Sequence, residues 1–313
     1  MTNGKLIDER VREMASIKPR DVWEKYPLTE KGKETTQKAR RGIEAILSGK
    51  DDRKLLIIGP CSVHDKNEAY DYTDRLLGLA ETVSSHILII ERMYFEKPRT
   101  ISRPTIEWEG LINDPLGDGN PNPHEGYMLA REIAAHVVNM GMPIATEFLE
   151  TSTPRYLNGT IAWGAIGART IESQEHRHMA SGLSMPIGYK NPTSGNEIRA
   201  IEAFITAFQP GHLFRGINEE AISTFEVCTG NPYGHVVLRG GDKGPNYDAE
   251  NVAHVQKMML DHPLYQELRM PPNVLIDCSH ANANKDYKMQ PIVFEDVLRQ
   301  IRDRKSPYAR YIN

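Results

Sequence analysis

Residues 54–92 read KLLIIGPCSVHDKNEAYDYTDRLLGLAETVSSHILIIER, and this stretch decides the fold. It opens on KLLIIG (54–59) and closes on HILIIER (86–92), two short runs that are apolar at almost every position and rich in β-branched isoleucine. A strand apolar on consecutive residues is buried on both faces, as in a parallel sheet covered by helices. Between the runs, EAYDYTDRLLGLAETV (68–83) carries apolar residues at three-to-four spacing, the period of an amphipathic helix. Strand, helix and strand in that order make one βαβ unit.

The rhythm continues outward. Further strands are predicted at PIATEF (143–148), GAIGAR (164–169), PIGYKN (186–191), HVVLRG (235–240) and NVLIDCS (273–279). Helical periodicity fills YMLAREIAAHVVNM (127–140), ESQEHRHMASGL (172–183), EIRAIEAFITAF (197–208), AENVAHVQKMML (249–260) and PIVFEDVLRQIRD (291–303). Alternation of this kind gives either a doubly wound sheet or a (β/α)8 barrel. The residues that follow the strands choose between them. Cys61 follows the first, Arg92 and Lys97 the second, Glu147 the third, and Arg169, Lys190, Arg239 and His280 the rest. A doubly wound sheet gathers its ligands at one switch point, whereas a barrel draws on the C-terminal end of every strand. The expectation is an α/β protein with a (β/α)8 (TIM) barrel.

Ahead of the barrel, LIDERVREM (6–14) and TQKARRGIEAILSG (36–49) read as helical, with Gly49 in C-cap position. Ile17-Lys18-Pro19-Arg20 reads as a turn. The division is therefore an N-terminal helical extension over 1–53 and a barrel domain over 54–313. Two interruptions break the repeat. Residues 99–126 form a long Pro/Gly/Asn-rich connection of the kind used for lids and binding loops, and residues 210–234 have room for an extra hairpin.

The chain has 313 residues, 39% of them hydrophobic, with 38 Lys and Arg against 42 Asp and Glu and a net charge of −4. That balance excludes a general nucleic-acid coat but leaves room for a local cationic pocket. Its longest aliphatic runs are too short to span a bilayer, and MTNGKLIDER at the start has no apolar core of a secretory signal. Three cysteines, Cys61, Cys228 and Cys278, do not make a disulfide framework. These features lead us to expect a cytoplasmic protein with neither membrane nor nucleic acid as partner.

Six cations, Arg92, Lys97, Arg99, Arg169, Lys190 and Arg239, gather around one proposed mouth. Any single Lys or Arg is ordinarily a solvated surface residue. Six near strand ends imply substrates with several negative charges, because arginine forks match phosphate and carboxylate oxygens and lysine adds a compact charge. One monophosphate does not need so many; two anionic substrates fit better. Cys61 with His280 forms a second constellation suited to a borderline divalent metal, although a catalytic metal needs further ligands. Cys278, two residues before His280, either competes for that place or packs. His176 and His178 lie two apart on a predicted helix and so on different faces, which leaves them structural or adjacent to substrate. No Walker loop, HExxH or GxSxG is present, and the sequon Asn158-Gly159-Thr160 is idle without a secretory signal.

Taken together, GPCSVHD (59–65), RMYFEKPRT (92–100), GLINDP (110–115), EFLE (147–150), WGAIGARTIESQEHR (163–177), ASGLS (180–184), LRGG (238–241) and DCSHAN (277–282) resemble the type I 3-deoxy-D-arabino-heptulosonate 7-phosphate (DAHP) synthases, in particular the microbial, amino-acid-regulated branch. The resemblance runs in one order from about residue 8 to residue 300. It implies condensation of phosphoenolpyruvate with erythrose 4-phosphate on a (β/α)8 barrel, the first step of the shikimate pathway to aromatic amino acids. By motif match, Arg92 and Lys97 hold the carboxylate side of phosphoenolpyruvate, and Arg169, Lys190, Arg239 and the backbone N–H of Ala168 hold its phosphate. Glu147 binds or polarises groups beside it, Arg99 and Thr100 take the sugar phosphate, and Lys97 is a candidate for proton transfer. Cys61 and His280 match two of the family's ligands for a divalent metal, which is manganese, iron, cobalt or zinc. The resemblance further implies a homodimer or homotetramer with an aromatic amino acid as feedback inhibitor.

The family places its other two metal ligands, a Glu and an Asp, at and after an eighth strand, and this sequence reaches RDRKSPYARYIN where that strand begins. The expectation is that the eighth βα unit is missing from this chain. Two alternatives accompany the main reading: condensation with a different aldose phosphate, and an inactive, truncated paralogue that binds a full-length partner. Local departures are KNPTSG (190–195) where the family carries K-N-G-T-D-G, and an addition around SRPT (102–105).

Overall fold

The chain is described here from a computed structural model covering residues 14–99, 107–303 and 309–313. The expectations for Thr100, for the SRPT addition and for nearly all of the LIDERVREM helix lie outside those residues.

In chain order the elements are α1 (Pro19–Lys25), α2 (Glu30–Leu47), β1 (Lys54–Ile58), α3 (Lys66–Val83), β2 (Ile87–Arg92), α4 (Pro123–Met140), β3 (Ile144–Glu147), α5 (Thr153–Tyr156) and β4 (Ile161–Ile166). They continue with α6 (Gln174–Gly182), β5 (Ile187–Lys190), α7 (Ile198–Phe208), β6 (Leu213–Ile217), β7 (Ser223–Val227), β8 (Gly234–Leu238), α8 (Ala249–Asp261), α9 (Pro263–Leu268), β9 (Val274–Ile276) and α10 (Gln290–Arg302). Helix starts follow local chemistry. Thr29, Asp65, Asn122, Ser173 and Asp248 each accept a backbone N–H from the first turn of the helix that follows.

Seven parallel strands form one sheet in the order β1-β2-β3-β4-β5-β8-β9, so each pairs with the next in sequence apart from the inserted hairpin. That is the strand order of a (β/α)8-type barrel. The hairpin expected within 210–234 is β6–β7, an antiparallel pair with Leu213 opposite Val227. Past α10 the chain returns to the sheet. Ile312 bridges Val274 in parallel, Asn313 N–H donates to the Val274 carbonyl (2.9 Å), and the Asn313 carbonyl accepts from Ile276 N–H (2.9 Å). The Asn313 side-chain oxygen accepts from Leu55 N–H across on β1 (3.2 Å). The last residues thus lie between the two outer strands of the sheet, in contact with both.

Two apolar layers account for the strands being apolar throughout. Ile89, Ile144, Ile161, Ile187, Val236 and Val274 face outward against α3, α4, α6, α7 and α8. Leu55, Ile90, Ala145, Trp163, Ala165, Val237 and Leu275 face inward. The inner layer also contains Ala39, Ile43, Ile46 and Leu47 of α2. This helix closes the floor of the barrel, with Arg40 donating to the Ile161 carbonyl and Asn273 donating to the carbonyl of Leu47. Burying side chains such as Ile43 and Leu47 contributes about 1.5–3 kcal/mol each. Helix α2 is therefore part of the barrel's core.

Three elements depart from the sequence reading. Pro19 starts α1 rather than a turn, because its missing N–H and fixed φ suit the first helical position. Strand β4 begins at Ile161, three residues before the predicted run; Thr160 and Gly159 there resemble a turn, yet Ile161, Ala162 and Trp163 are wholly buried. The short helices α5 and α9, each opened by a proline within its first two positions, have too few residues to show a period.

Candidate active site

Side chains alternate across a strand, so the inner core fixes what reaches the mouth. From inward Ile90 the next inward residue is Arg92; from Ala145 it is Glu147; from Val237, Arg239; from Leu275, Asp277. Gly188 faces Trp163 inside the barrel, where a Cβ would lie 2.2 Å from the indole, and two residues on stands Lys190. Past the strand ends, Cys61 is placed by Arg92, which donates to its carbonyl, and Arg169 lies near enough to Arg239 for the two charges to act on each other. The residues predicted from the strand ends therefore share one face and one end of the sheet.

Their contacts are direct. Lys190 Nζ donates to Glu147 Oε2 (3.0 Å), and both side chains are almost wholly buried. Burial pushes the Glu147 carboxyl up, but Lys190, Arg92 and His280 outweigh it and hold the group below the usual carboxylate range. Burial likewise opposes the Lys190 charge, and Glu147 more than restores it. Lys97 Nζ lies 2.6 Å from Cys61 Sγ. Burial raises that thiol, yet Lys97 and Arg92 together carry it below its ordinary value, toward the thiolate. Arg92 donates to the carbonyls of Pro60 and Cys61 and stacks on the Tyr94 ring, 3.7 Å from its centroid. Lys190 Nζ also sits 5.2 Å from that centroid, so Tyr94 is a shared aromatic floor for two cations.

Turns hold this set in place. Gly240 after β8 has φ +70°, and a Cβ there would lie within 2.9 Å of the Asn282 nitrogen, so the turn after Arg239 admits only glycine. Three buried asparagines knit the strand ends. Asn191 accepts from Arg239 N–H (2.9 Å) and donates to the Gly240 carbonyl. Asn246 accepts from Gly240 N–H, and Asn282 accepts from Asn246 N–H while donating to the Leu238 and Asp277 carbonyls.

His280 occupies the left-handed region at φ +48°, an uncommon backbone for a non-glycine residue and one that clusters at functional sites. Its Nδ1 pairs with Asp277 Oδ2 at 2.7 Å. Burial raises the Asp277 carboxyl, but His280 and Lys190 outweigh it and hold it below the usual carboxylate range, which suits it to accept from Nδ1–H of the ring. The imidazole Nε2 is then left for a ligand. Cys61 and His280 thus fit as metal donors, one inclined to thiolate and one oriented by a carboxylate. They are two, however, and among the described residues no group of three or more His, Cys, Asp or Glu is placed to hold an ion.

The sequence profile of the DAHP synthetase I family matches residues 26–305. The chain belongs to the DAHP synthetase I family. It is 44% identical over 303 residues to the Tyr-sensitive phospho-2-dehydro-3-deoxyheptonate aldolase of Salmonella typhimurium, a match covering 97% of this chain and 81% of that one. The Phe-sensitive enzyme of Escherichia coli K12 is 43% identical over 295 residues, 94% of this chain and 81% of the relative. Among solved structures, the phospho-2-dehydro-3-deoxyheptonate aldolase of Francisella tularensis SCHU S4 superposes with a TM-score of 0.88 at 40% identity, covering 96% of this chain and 84% of that one.

Within this DAHP synthetase I chain, most of the predicted site residues meet at the mouth, and the remainder divide. Arg99 donates to the carbonyl of Trp108 (Nε, 3.0 Å), which fixes it to the 107–114 loop. Cys278 packs against the outer core, and burial pushes its thiol up to about 12, so it packs rather than competes with His280. His176 bonds Ser173 and the Leu149 carbonyl, whereas His178 bonds the Leu213 carbonyl and stacks on His212, so the two do point to different neighbours. Sequence reasoning missed Asp277, Tyr94 and the three asparagines. Asp277 stood in a quoted motif, and inward parity from Leu275 was a signal that could have found it; Asn246, in a loop, offered none.

A separate cavity of about 130 Å3 lies between α5, α6 and the hairpin. Phe148, Met179, Phe214 and Ile217 give it apolar walls, and Arg155 pairs across it with Glu226 at 2.7 Å. It is distinct from the cationic mouth. No helix of the described residues is long and apolar enough to cross a membrane.

Proposed function

We propose that the chain condenses phosphoenolpyruvate with erythrose 4-phosphate to give DAHP and inorganic phosphate, acting in the cytoplasm as a C–C bond-forming transferase. The observation that carries this reading is the buried Lys190–Glu147 pair set beside Arg92, Lys97 and Arg239 at one end of a parallel sheet. Such a site offers several fixed positive charges and one fixed carboxylate to two anionic substrates.

In this assignment Arg92 and Lys97 take the carboxylate side of phosphoenolpyruvate, and Arg169, Lys190, Arg239 and the Ala168 N–H take its phosphate. Arg99 and Thr100 take the sugar phosphate. Holding both anions together converts a bimolecular encounter into a positioned one. C3 of phosphoenolpyruvate forms a bond to the aldehyde carbon, Lys97 delivers a proton to the aldehyde oxygen, water adds at C2, and phosphate leaves. Glu147 fixes Lys190 and orients groups beside C2. Cys61 and His280 would hold a divalent metal, manganese, iron, cobalt or zinc, which when bound acts as a Lewis acid on the aldehyde.

Aromatic amino-acid feedback is the regulatory reading, supported by relatives named Tyr-sensitive and Phe-sensitive. The cavity between α5, α6 and the hairpin, with apolar walls and one ion pair, suits such a molecule. Homodimers or homotetramers are the proposed assembly.

The test is phosphate release from purified protein with both substrates and added manganese, run with a panel of aldose phosphates, with a chelator, and with tyrosine or phenylalanine. Release that requires both substrates and is lost on chelation is expected. Turnover with another aldose phosphate in preference to erythrose 4-phosphate would replace the second substrate. No release from folded protein would favour the inactive-paralogue reading.

A further inference from the structure

Glu96 immediately precedes Lys97, yet its side chain runs away from the mouth and is only 2% exposed. A buried carboxyl is costly unless several donors converge on it. Here they are the N–H of Leu149 on Oε2 (3.2 Å), the N–H of Glu150 on Oε1 (3.2 Å) and the hydroxyl of Thr153 on Oε1 (3.2 Å). All three belong to the segment that leaves β3 just after Glu147. Burial, with Glu150 as a neighbouring charge, pushes the Glu96 carboxyl up to about 8.

On its other side the backbone carrying Lys97 is fixed as well. Lys97 N–H donates to the Glu109 carbonyl (3.1 Å) and Ile112 N–H to that of Phe95 (3.1 Å). Gly110, at φ +103°, approaches so closely that a Cβ would sit 2.7 Å from Lys97 N. With that backbone held, the Glu96 side chain is the strut between the Lys97 loop and the end of β3. We propose that Glu96 is a positioning residue, setting the separation between Lys97 and Glu147 across two neighbouring strands. Those two groups must reach one substrate from different strand ends, and no strand pairing extends that far up the barrel. The inference rests on the assignment of Lys97 and Glu147 to the phosphoenolpyruvate pocket.

The test compares steady-state kinetics and melting temperature for wild type, Glu96→Gln and Thr153→Val, with Lys97→Met and Glu147→Gln alongside. Glu96→Gln keeps the shape but replaces an oxygen that accepts from a backbone N–H with an amide nitrogen that cannot accept. Thr153→Val removes the hydroxyl arm to Glu96 together with that hydroxyl's contact to Tyr127 Oη (3.1 Å), so Tyr127→Phe serves as its control. The expected result is a kcat lowered about ten- to a hundredfold in Glu96→Gln, the scale of an ångström-level misplacement, and by less in Thr153→Val. KM for phosphoenolpyruvate should change far less than kcat. A structural role alone would lower the melting temperature and leave kcat per folded molecule unchanged, and that result overturns the proposal. Should Glu96→Gln fail to fold, Thr153→Val decides in the same terms. Wild-type kcat in Lys97→Met and Glu147→Gln would instead remove the site assignment, and the proposal with it.

Discussion

Glu91 and Arg92 are consecutive residues of β2 with opposite fates, because the strand sends one outward and one to the mouth. Glu91 is wholly buried against α3, with both oxygens accepting from the Thr73 hydroxyl. Burial pushes its carboxyl up to about 7, and Thr73 only partly offsets that. The linkage follows from the sign. In the unfolded chain the group ionises near 4.5, so between that value and 7 the folded protein holds a proton that the unfolded chain releases. Its contribution is full below the unfolded value and is lost as pH rises through 7. Glu91→Gln should therefore stabilise the protein by about 2 kcal/mol at pH 8 and by little at pH 5 in urea unfolding. An equal gain at both would refute the assignment. Such a residue is invisible to sequence reading: a carboxylate inside HILIIER looks like the polar end of a strand, and only the parity of the built barrel shows it turned into the helix layer. Lys190, Arg239 and Glu147 were legible for the converse reason, since strand ends in a barrel point to one place. The pairing of Lys190 with Glu147, from β5 and β3, was not, because register across a sheet is a property of the assembled strands.

At the scale of elements, α2 carries the clearest expectation. Ala39, Ile43, Ile46 and Leu47 fall on one face and close the barrel floor. Ile43→Ala should destabilise the protein by roughly 2–5 kcal/mol, with the urea midpoint moving and the slope unchanged. A loss under 1 kcal/mol would mean that the floor is not part of the cooperative unit. The three-to-four spacing in TQKARRGIEAILSG showed that one face is buried, and Gly49 stands just past the helix at φ +71° as its reading required. What the face packs against was not legible, because a helix pattern carries no address. Nor was the start of β4 or the presence of α1, where proline and glycine signals are shared by turns and by helix starts.

Across the molecule, charge is unevenly distributed. The chain as a whole carries −4, yet Arg92, Lys97, Lys190 and Arg239 stand together at the mouth. A weakly acidic protein with a cationic cleft draws anions by a field that salt screens over about 8–10 Å. KM for phosphoenolpyruvate should rise with ionic strength while kcat holds, as measured at constant pH with potassium chloride. A KM independent of salt would place the substrate elsewhere.

The way the floor is shut also bears on how the chain reaches this state. Asn273 meets the carbonyl of Leu47 across 226 residues, Arg40 meets Ile161 across 121, and Asn313 meets Leu55 across 258. Contacts between such distant partners form only after long loops have been closed, and chains dominated by them fold slowly. Helix α2 precedes the strands in the chain, yet its hydrogen bonds to Ile161 and Asn273 cannot form until β4 and β9 exist. Until then its apolar stripe and the inner faces of the strands remain open to one another and to other molecules. Refolding should accordingly be slow and should yield less at higher protein concentration, with the floor the last part to become protected from hydrogen exchange.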